Sequence, residues 1–115
     1  MHPVKFDKDD PTWLTCPHCG QNNLHHDAVS VFCRSGEDGP VTATTVDGNN
    51  MVYRKEGPAM DQACPSSRRD GLAISFWCER CPAISELTIA QHKGTTILGW
   101  RITGRQLEDK LWLLT

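Results

Sequence analysis

The sequence predicts a small, mainly β domain that is held together by a metal ion, and three observations lead to this prediction. Several Val- and Thr-rich segments alternate apolar and polar residues with a period near two, which is typical of strands. Clusters of Gly, Asn and Asp separate these segments and suit hairpin turns. Two Cys-x-x-Cys pairs lie at 16–19 and 78–81, and four thiols at this spacing are typical of a metal site.

The chain of 115 residues is the length of one domain with short ends. Its first eleven residues are polar, end in Asp-Asp-Pro and are interpreted as a tether. We predict that the β domain spans residues 12–103, with residues 28–56 inserted into it as strands. Within that insert, the alternation of residues predicts strands at 28–33, 41–46 and 51–54.

A polar segment from about residue 56 to residue 70 follows the insert. We expect it to be a loop, because it contains two prolines and shows no periodicity. Beyond it the period near two returns, and it predicts three more strands, at 72–77, 84–92 and 95–102.

The last predicted strand has one apolar face, which we expect to be its inner face. The side chains on it are those of Thr96, Leu98, Trp100 and Ile102. Residues 104–115 are predicted to be a C-terminal tail. This tail can form a short amphipathic helix, because three leucines follow one another at spacings of four and three: Leu107, Leu111 and Leu114. It either packs back on the sheet, which we favour for a core with few aromatic residues, or contacts a partner.

The composition favours a domain that needs such a metal site. Hydrophobic residues make up 38% of the chain and include only eight aromatic residues, so we expect a small hydrophobic core. A bound metal ion is one of the usual ways to stabilise a domain with such a core. The N-terminus has no apolar run of the signal-peptide kind, and no stretch is long enough to span a membrane. We therefore expect a cytoplasmic protein with reduced thiols, in which metal binding is favoured over a disulfide framework.

The two Cys-x-x-Cys pairs are far apart in the sequence, with the 58 residues at positions 20–77 between them. Because loop-closure entropy grows only logarithmically, this gap costs about 1 kcal/mol more than a short one. Zinc binding at a structural site contributes on the order of 10 kcal/mol. The spacing therefore allows one structural zinc ion bound by Cys16, Cys19, Cys78 and Cys81.

The first of these pairs belongs to the segment Cys16-Pro17-His18-Cys19-Gly20, which resembles the first knuckle of the zinc-ribbon family. The resemblance implies a β-hairpin after each knuckle and a four-thiolate zinc site, and it covers roughly residues 12–102. The second knuckle departs from the family pattern, because Pro82 stands where glycine is usual. Since proline has no N–H, we expect one hydrogen bond to sulfur to be lost there.

A narrower resemblance rests on four segments: residues 22–26 (Asn-Asn-Leu-His-His), 65–71 (Pro-Ser-Ser-Arg-Arg-Asp-Gly), 76–79 (Phe-Trp-Cys-Glu) and 91–96 (Gln-His-Lys-Gly-Thr-Thr). In these segments the chain resembles small zinc-ribbon proteins of bacterial viruses and prophages, mostly without assigned function. The resemblance implies an accessory or host-takeover role rather than core metabolism.

Two other uses of the same cysteines remain open. A thioredoxin-type redox dithiol at Cys78–Cys81 would need a helix after the motif, where the sequence predicts a strand. An iron site of the rubredoxin type uses the same two knuckles. Of the remaining cysteines, Cys33 is expected to be buried on a strand and Cys64 to be an exposed free thiol, and a bridge between them is disfavoured in the cytosol.

The histidines offer a weaker candidate for a second metal site. His25, His26 and Asp27 are adjacent and His18 lies in the first knuckle, but neighbouring strand residues point to opposite faces. We therefore interpret them as exposed or hydrogen-bonded residues. The chain lacks the arrangements typical of a nucleophilic triad, a phosphate loop or a zinc protease, and we expect it not to be an enzyme.

Basic residues in the second half of the chain suggest a binding surface. The formal net charge of −2 nevertheless excludes a nucleic-acid binder that is basic over its whole surface. We predict an interaction protein that acts on nucleic acid or on nucleic-acid machinery. The alternatives are a solvated surface, a protein-binding adaptor or inhibitor without nucleic-acid contact, and a metallo-enzyme or redox protein. The candidate binding residues are Arg68, Arg69, Arg80, His92 and Lys93.

Overall fold

The computed structural model describes residues 2–105, which fold into six strands and one short helix, so the predicted mainly β class is confirmed. The elements are β1 (Leu24–Arg34), β2 (Val41–Val46), β3 (Val52–Glu56), α1 (Pro58–Ala63), β4 (Gly71–Cys78), β5 (Ala83–His92) and β6 (Thr95–Arg105). The helix predicted within the C-terminal tail, at 106–115, lies outside the described residues. No helix in the described range is long and apolar enough to cross a membrane.

The strands form one antiparallel sheet in the order β3-β2-β1-β4-β5-β6. This order places the two Cys-x-x-Cys pairs at the same end of the sheet. The first pair precedes β1, whose first residue Leu24 lies opposite Cys78, the last residue of β4. The second pair joins β4 to β5. We call this end the metal end, and the opposite one the distal end.

The segment from residue 56 to residue 70 is not entirely a loop, and this prediction was wrong in one part. It contains α1, which begins at Pro58, where the fixed φ of proline suits a first helical turn. Six residues are too few to show a helical period in the sequence. The helix is fixed on the sheet because the Asp61 carboxylate accepts a hydrogen bond from the Val41 N–H (3.0 Å) and Met60 packs on the core.

One face of the sheet, which we call the helix face, carries α1 and the main apolar core. The core is thin, since two of its five members are alanines. On β6, the Arg101 guanidinium bonds Glu86 (3.2 Å) and the Ala63 carbonyl at the end of α1 (3.0 Å), and this ties the helix to the sheet. The buried core residues are Phe32, Val41, Ala43, Cys64 and Ala73.

The structure reverses the expected positions of the two remaining cysteines. Phe32 takes the inner position on β1, so the next residue, Cys33, points to the other face and is exposed. Cys64 directly follows α1 and is buried, with its S–H directed at the Arg69 carbonyl (3.6 Å). Both cysteines are free thiols.

The opposite face of the sheet is apolar and largely uncovered in the described range, and we call it the open face. Register places Val31, Leu72, Ile89 and Leu98 in one row across four strands. The exposed fractions of Val31 and Leu98 are 40% and 50%, and Ile102 is 41% exposed. The expectation that Leu98 and Ile102 lie on an inner face was therefore wrong for the part of the chain that the structure describes, although Trp100 between them is buried.

Residues near the N-terminus, interpreted above as part of a tether, pair with the sheet. His2 and Trp100 exchange two backbone hydrogen bonds of 2.9 and 2.8 Å, which places His2 outside the edge of β6. A second bridge joins Phe6 to Leu14. The Trp100 side chain is fully buried and contacts Phe76 edge-on at 5.4 Å. The N-terminal segment thus extends the sheet beyond the edge of β6 at one position.

Arg34 at the end of β1 organises the distal end. Its side chain is only 6% exposed, and its guanidinium donates to three carbonyl oxygens. These belong to Ser66 (2.8 Å), Gly39 (3.0 Å) and Arg69 (3.1 Å), on two different loops. The planar guanidinium group has five N–H donors in a fixed arrangement, which allows one side chain to bond several carbonyl oxygens at once.

We expect Arg34→Lys to lower the free energy of unfolding by about 3 kcal/mol, because one ammonium cannot reach three carbonyls on different sides and leaves buried acceptors unpaired. Urea unfolding of the metal-loaded protein measures this loss. Arg54→Lys, on the fully exposed strand β3, is the control and should change stability by less than about 0.5 kcal/mol. Equal effects of the two substitutions would contradict the role given to Arg34.

Candidate metal centre

The first knuckle is a tight turn that ends at Gly20. The Gly20 N–H donates to the Cys16 carbonyl (2.9 Å), and the Cys16 N–H donates to the Gln21 carbonyl (2.8 Å). Gly20 has a φ of 80°, in the left-handed region that glycine adopts without strain. This turn brings the thiols of Cys16 and Cys19 to one side, as the sequence predicts.

The second knuckle links two adjacent strands, since Cys78 ends β4 and Ala83 begins β5. The Arg80 N–H donates to the Cys78 sulfur at 3.3 Å. Pro82 has no N–H, but the N–H of the next residue, Ala83, bonds the Cys81 sulfur. Both sulfurs of this knuckle thus accept a hydrogen bond from a backbone N–H in spite of the proline.

The four sulfur atoms form a compact cluster, all within 4.8 Å of one another. The Cys16 and Cys81 sulfurs are 3.8 Å apart, and those of Cys19 and Cys78 are 3.6 Å apart. A tetrahedral zinc ion with bonds of about 2.3 Å requires sulfur–sulfur distances of about 3.8 Å. The cluster thus has the donor type and the spacing of a site for one metal ion.

Burial distinguishes this cluster from a reactive thiol pair. The exposed fractions of Cys16, Cys78 and Cys81 are 3%, 0% and 7%, and Cys19 is half-buried. A tetrahedral ion bound by all four thiolates has no position left for a substrate or water. Strand β5 directly follows the second knuckle, where a thioredoxin-type dithiol would need a helix. The arrangement therefore suits a metal site better than a redox dithiol.

Burial and backbone hydrogen bonds shift the pKa values of three of the four thiols. Burial raises the pKa of Cys16, but the N–H groups of Cys19 and His18 stabilise its thiolate and hold the pKa below its ordinary value. Burial raises the pKa of Cys78, and it raises that of Cys81 to about 12. Several negative charges this close repel one another unless a cation lies between them.

The histidines lie outside the cluster. The only group of three or more metal-ligating side chains that could hold an ion within residues 2–105 is the four-cysteine cluster. His25 stacks on Trp77 with ring centroids 4.2 Å apart, and its Nε2 is 3.3 Å from the Glu79 carboxylate. Its position is therefore explained by stacking and pairing across β1 and β4.

The five candidate binding residues do not form one surface. Arg80 lies in the second knuckle, at the metal end, where its side chain donates to the Asn23 side chain (3.3 Å). His92 and Lys93 lie at the far end of β5, whose ten residues span about 30 Å at 3.3 Å per residue. The sequence could not place them, because only strand pairing decides which end each turn occupies.

The other candidates meet at the distal end, around an open cleft of about 600 Å³. It contains both basic and acidic side chains, and the acidic ones were not singled out from the sequence. The Gly-Glu-Asp-Gly turn at 36–39 supplies one of them and was visible only as a turn. The lining residues are Arg34, Gly36, Glu37, Arg69, Asp70, Gln91, His92, Lys93 and Gly94.

Ion pairs reduce the charge available at this cleft. Arg68 lies beside it and pairs with Glu37 (2.6 Å) and Asp38 (2.9 Å), while Arg69 lies 3.5 Å from Glu37. The hydrogen bond from Arg68 holds the pKa of Asp38 below its ordinary value. Two of the predicted phosphate contacts are thus partly neutralised by acidic residues of the turn at 36–39.

Searches with the whole chain against models of known protein families, against curated proteins and against solved structures found no match.

Proposed function

We propose that the chain is a non-catalytic zinc-binding interaction protein. The observation that carries the zinc assignment is the compact cluster of four thiols, three buried and one half-buried, whose spacing fits a tetrahedral ion. In this role the zinc ion stabilises the metal end and supplies no open position for chemistry. A cytoplasmic location accords with reduced thiols, and an origin in a bacterial virus or prophage is suggested by the sequence resemblance alone.

We further propose that the distal cleft is the binding site and that it takes nucleic acid through a small number of phosphates. Arg69, His92 and Lys93 line the same cleft, and this convergence supports the proposal. The carboxylates of Glu37 and Asp70 also line it, so that the surface is only mildly positive. A single strand or a nucleic-acid end that offers one or two phosphates suits this charge better than a long duplex.

The experiment is a binding titration of a labelled single-stranded oligonucleotide at several salt concentrations. We expect a slope of log affinity against log salt of about −1, since only one or two phosphates are contacted. Lys93→Glu should weaken binding about tenfold or more, and Arg80→Glu, at the metal end, should leave it unchanged. Absence of binding, or equal effects of both substitutions, would remove the cleft from consideration.

A second candidate function, a protein-binding adaptor, is favoured by a different observation. Strand β3 forms one edge of the sheet, and all five of its residues are exposed. Within this strand Val52 and Tyr53 are 64% and 41% exposed, and Met51, directly before it, is 62% exposed. A partner strand can add to such an edge through backbone hydrogen bonds.

A pull-down from bacterial lysate with and without nuclease separates the two candidates. Captured protein that survives nuclease and is lost with Val52→Lys, but not with Lys93→Glu, supports the adaptor. Captured material that disappears on nuclease treatment and with Lys93→Glu supports the nucleic-acid proposal.

A further inference from the structure

We propose that the distal cleft recognises a phosphate monoester at the end of a nucleic-acid strand, and that the Glu37 carboxylate occupies the place of this phosphate in the free protein. This ligand assignment rests on the nucleic-acid function proposed above. Three observations carry it: the position of the Glu37 carboxylate between two arginines, the bonds of the neighbouring carboxylates, and the backbone conformation of Lys93.

The Glu37 carboxylate bridges two arginine side chains. One of its oxygens is 2.6 Å from Arg68 and the other is 3.5 Å from Arg69. Glu37 and Arg69 line the cleft, and all three side chains are about half exposed. Arginines also bind phosphate through its oxygens, with guanidinium N–H groups as donors. The internal carboxylate therefore marks a position where an external phosphate can bind.

Two neighbouring carboxylates are held by hydrogen bonds of their own. The Asp70 carboxylate accepts a hydrogen bond from the backbone N–H of the last residue of β1 (2.7 Å). The Asp38 carboxylate accepts two hydrogen bonds from the Arg68 guanidinium, of 2.9 and 3.0 Å. A ligand that displaces Glu37 therefore frees Arg69 and leaves Arg68 paired with Asp38.

The competition with Glu37 decides which kind of phosphate binds. A diester phosphate inside a strand carries one negative charge, as the carboxylate does, and gains little by replacing it. A monoester phosphate carries a charge of about −1.5 to −2 at neutral pH and has three strong acceptor oxygens. It can bond Arg69 and Lys93 together, since both line the cleft. A strand end with such a phosphate should therefore bind more tightly than the same strand with a hydroxyl end.

The backbone at Lys93 indicates that its side chain serves binding rather than the turn. Lys93 and Gly94 form the two-residue turn between β5 and β6, with φ of 50° and 78°. Such a turn favours asparagine, aspartate or glycine at its first position. The other non-glycine residues with positive φ within residues 2–105 are Asp38 and Asn50, types that suit this region. A lysine kept in this conformation points to a role for its ammonium group.

The experiment measures, by fluorescence anisotropy, the affinity of the zinc-loaded chain for three labelled strands of one sequence. One strand carries a 5′-phosphate, one a 3′-phosphate, and one has hydroxyl groups at both ends. We expect at least one phosphorylated strand to bind about tenfold more tightly than the strand with two hydroxyl ends, because its phosphate adds charge-assisted hydrogen bonds.

Three variants test the residues. Glu37→Gln removes the competing carboxylate, so it should tighten binding of the hydroxyl-ended strand about threefold and narrow the difference between the strands. Asp9→Asn is the control, because it removes the same charge at a residue that does not line the cleft, and it should leave all three affinities unchanged. Lys93→Asn should abolish the preference for phosphorylated strands, while the melting temperature stays equal or rises, since asparagine suits the turn.

The outcomes separate this ligand assignment from the nucleic-acid function itself. Measurable but equal affinity for the three strands would overturn the assignment and leave the nucleic-acid function standing. Absence of binding to every strand would overturn both. A phosphoserine peptide that binds more tightly than either phosphorylated strand would show that the cleft reads a phosphorylated protein instead. Equal effects of Glu37→Gln and Asp9→Asn would contradict the role given to Glu37.

Discussion

Replacement of Cys16 by serine is expected to leave the chain largely unfolded at room temperature. The apparent binding free energy of a structural zinc site is on the order of 10 kcal/mol or more, which equals or exceeds the whole stability of a typical domain. Little else compensates in the described chain, because the main core has only five fully buried members. The second buried cluster is the metal centre itself, made of Cys16, Cys78, Cys81 and Ala83.

Circular dichroism and metal analysis measure this outcome. The wild-type chain should carry one zinc ion and melt cooperatively, and the Cys16→Ser chain should do neither. A strong chelator should reproduce the loss in the wild type. Cys33→Ser is the matched control, since that cysteine is exposed and far from the cluster, and it should retain both metal and fold. Cooperative unfolding of a zinc-free Cys16→Ser chain would show that the site is not structural.

Replacement of Trp100 by alanine is expected to lower the free energy of unfolding by about 3–5 kcal/mol. The side chain is fully buried, contacts Phe76 edge-on and lies where His2 pairs with β6. The substitution leaves a large cavity beside the metal end, which the rigid strand pairing around it cannot fill. Urea unfolding of the zinc-loaded protein gives the value.

Two comparisons make this prediction specific. Trp13→Ala removes the same side chain at a position that is 53% exposed, and it should cost only about 1 kcal/mol. Trp100→Phe should cost far less than Trp100→Ala, because the buried indole N–H of Trp100 has no hydrogen-bond partner in the described chain. A similar loss for Trp13→Ala and Trp100→Ala would contradict the structural role assigned to Trp100.

The features that the sequence predicted are local ones. The period near two located the six strands of residues 2–105, because side chains alternate between the two faces of a strand whatever its neighbours are. The Cys-x-x-Cys spacing identified the four thiols that the structure brings together, since a two-residue turn places both thiols on one side. Helix α1 was missed because its six residues are too few to show a helical period. Its one sequence signal is the proline at its first position.

The features that only the tertiary structure decided depend on strand order and register. The alternation of apolar and polar residues could not show which face of β6 is covered. It divides the side chains of the strand between two faces, and this division is the same whichever face α1 packs on. The pattern also could not show that the length of β5 separates Arg80 from Lys93, or that Arg68 pairs with Glu37, which lies 31 positions earlier in the sequence. Composition and spacing determined by themselves that this chain is a β protein with a four-thiol site. Strand pairing decided which basic side chains converge at the distal cleft and which apolar face remains open, because those contacts join residues that are distant in the chain.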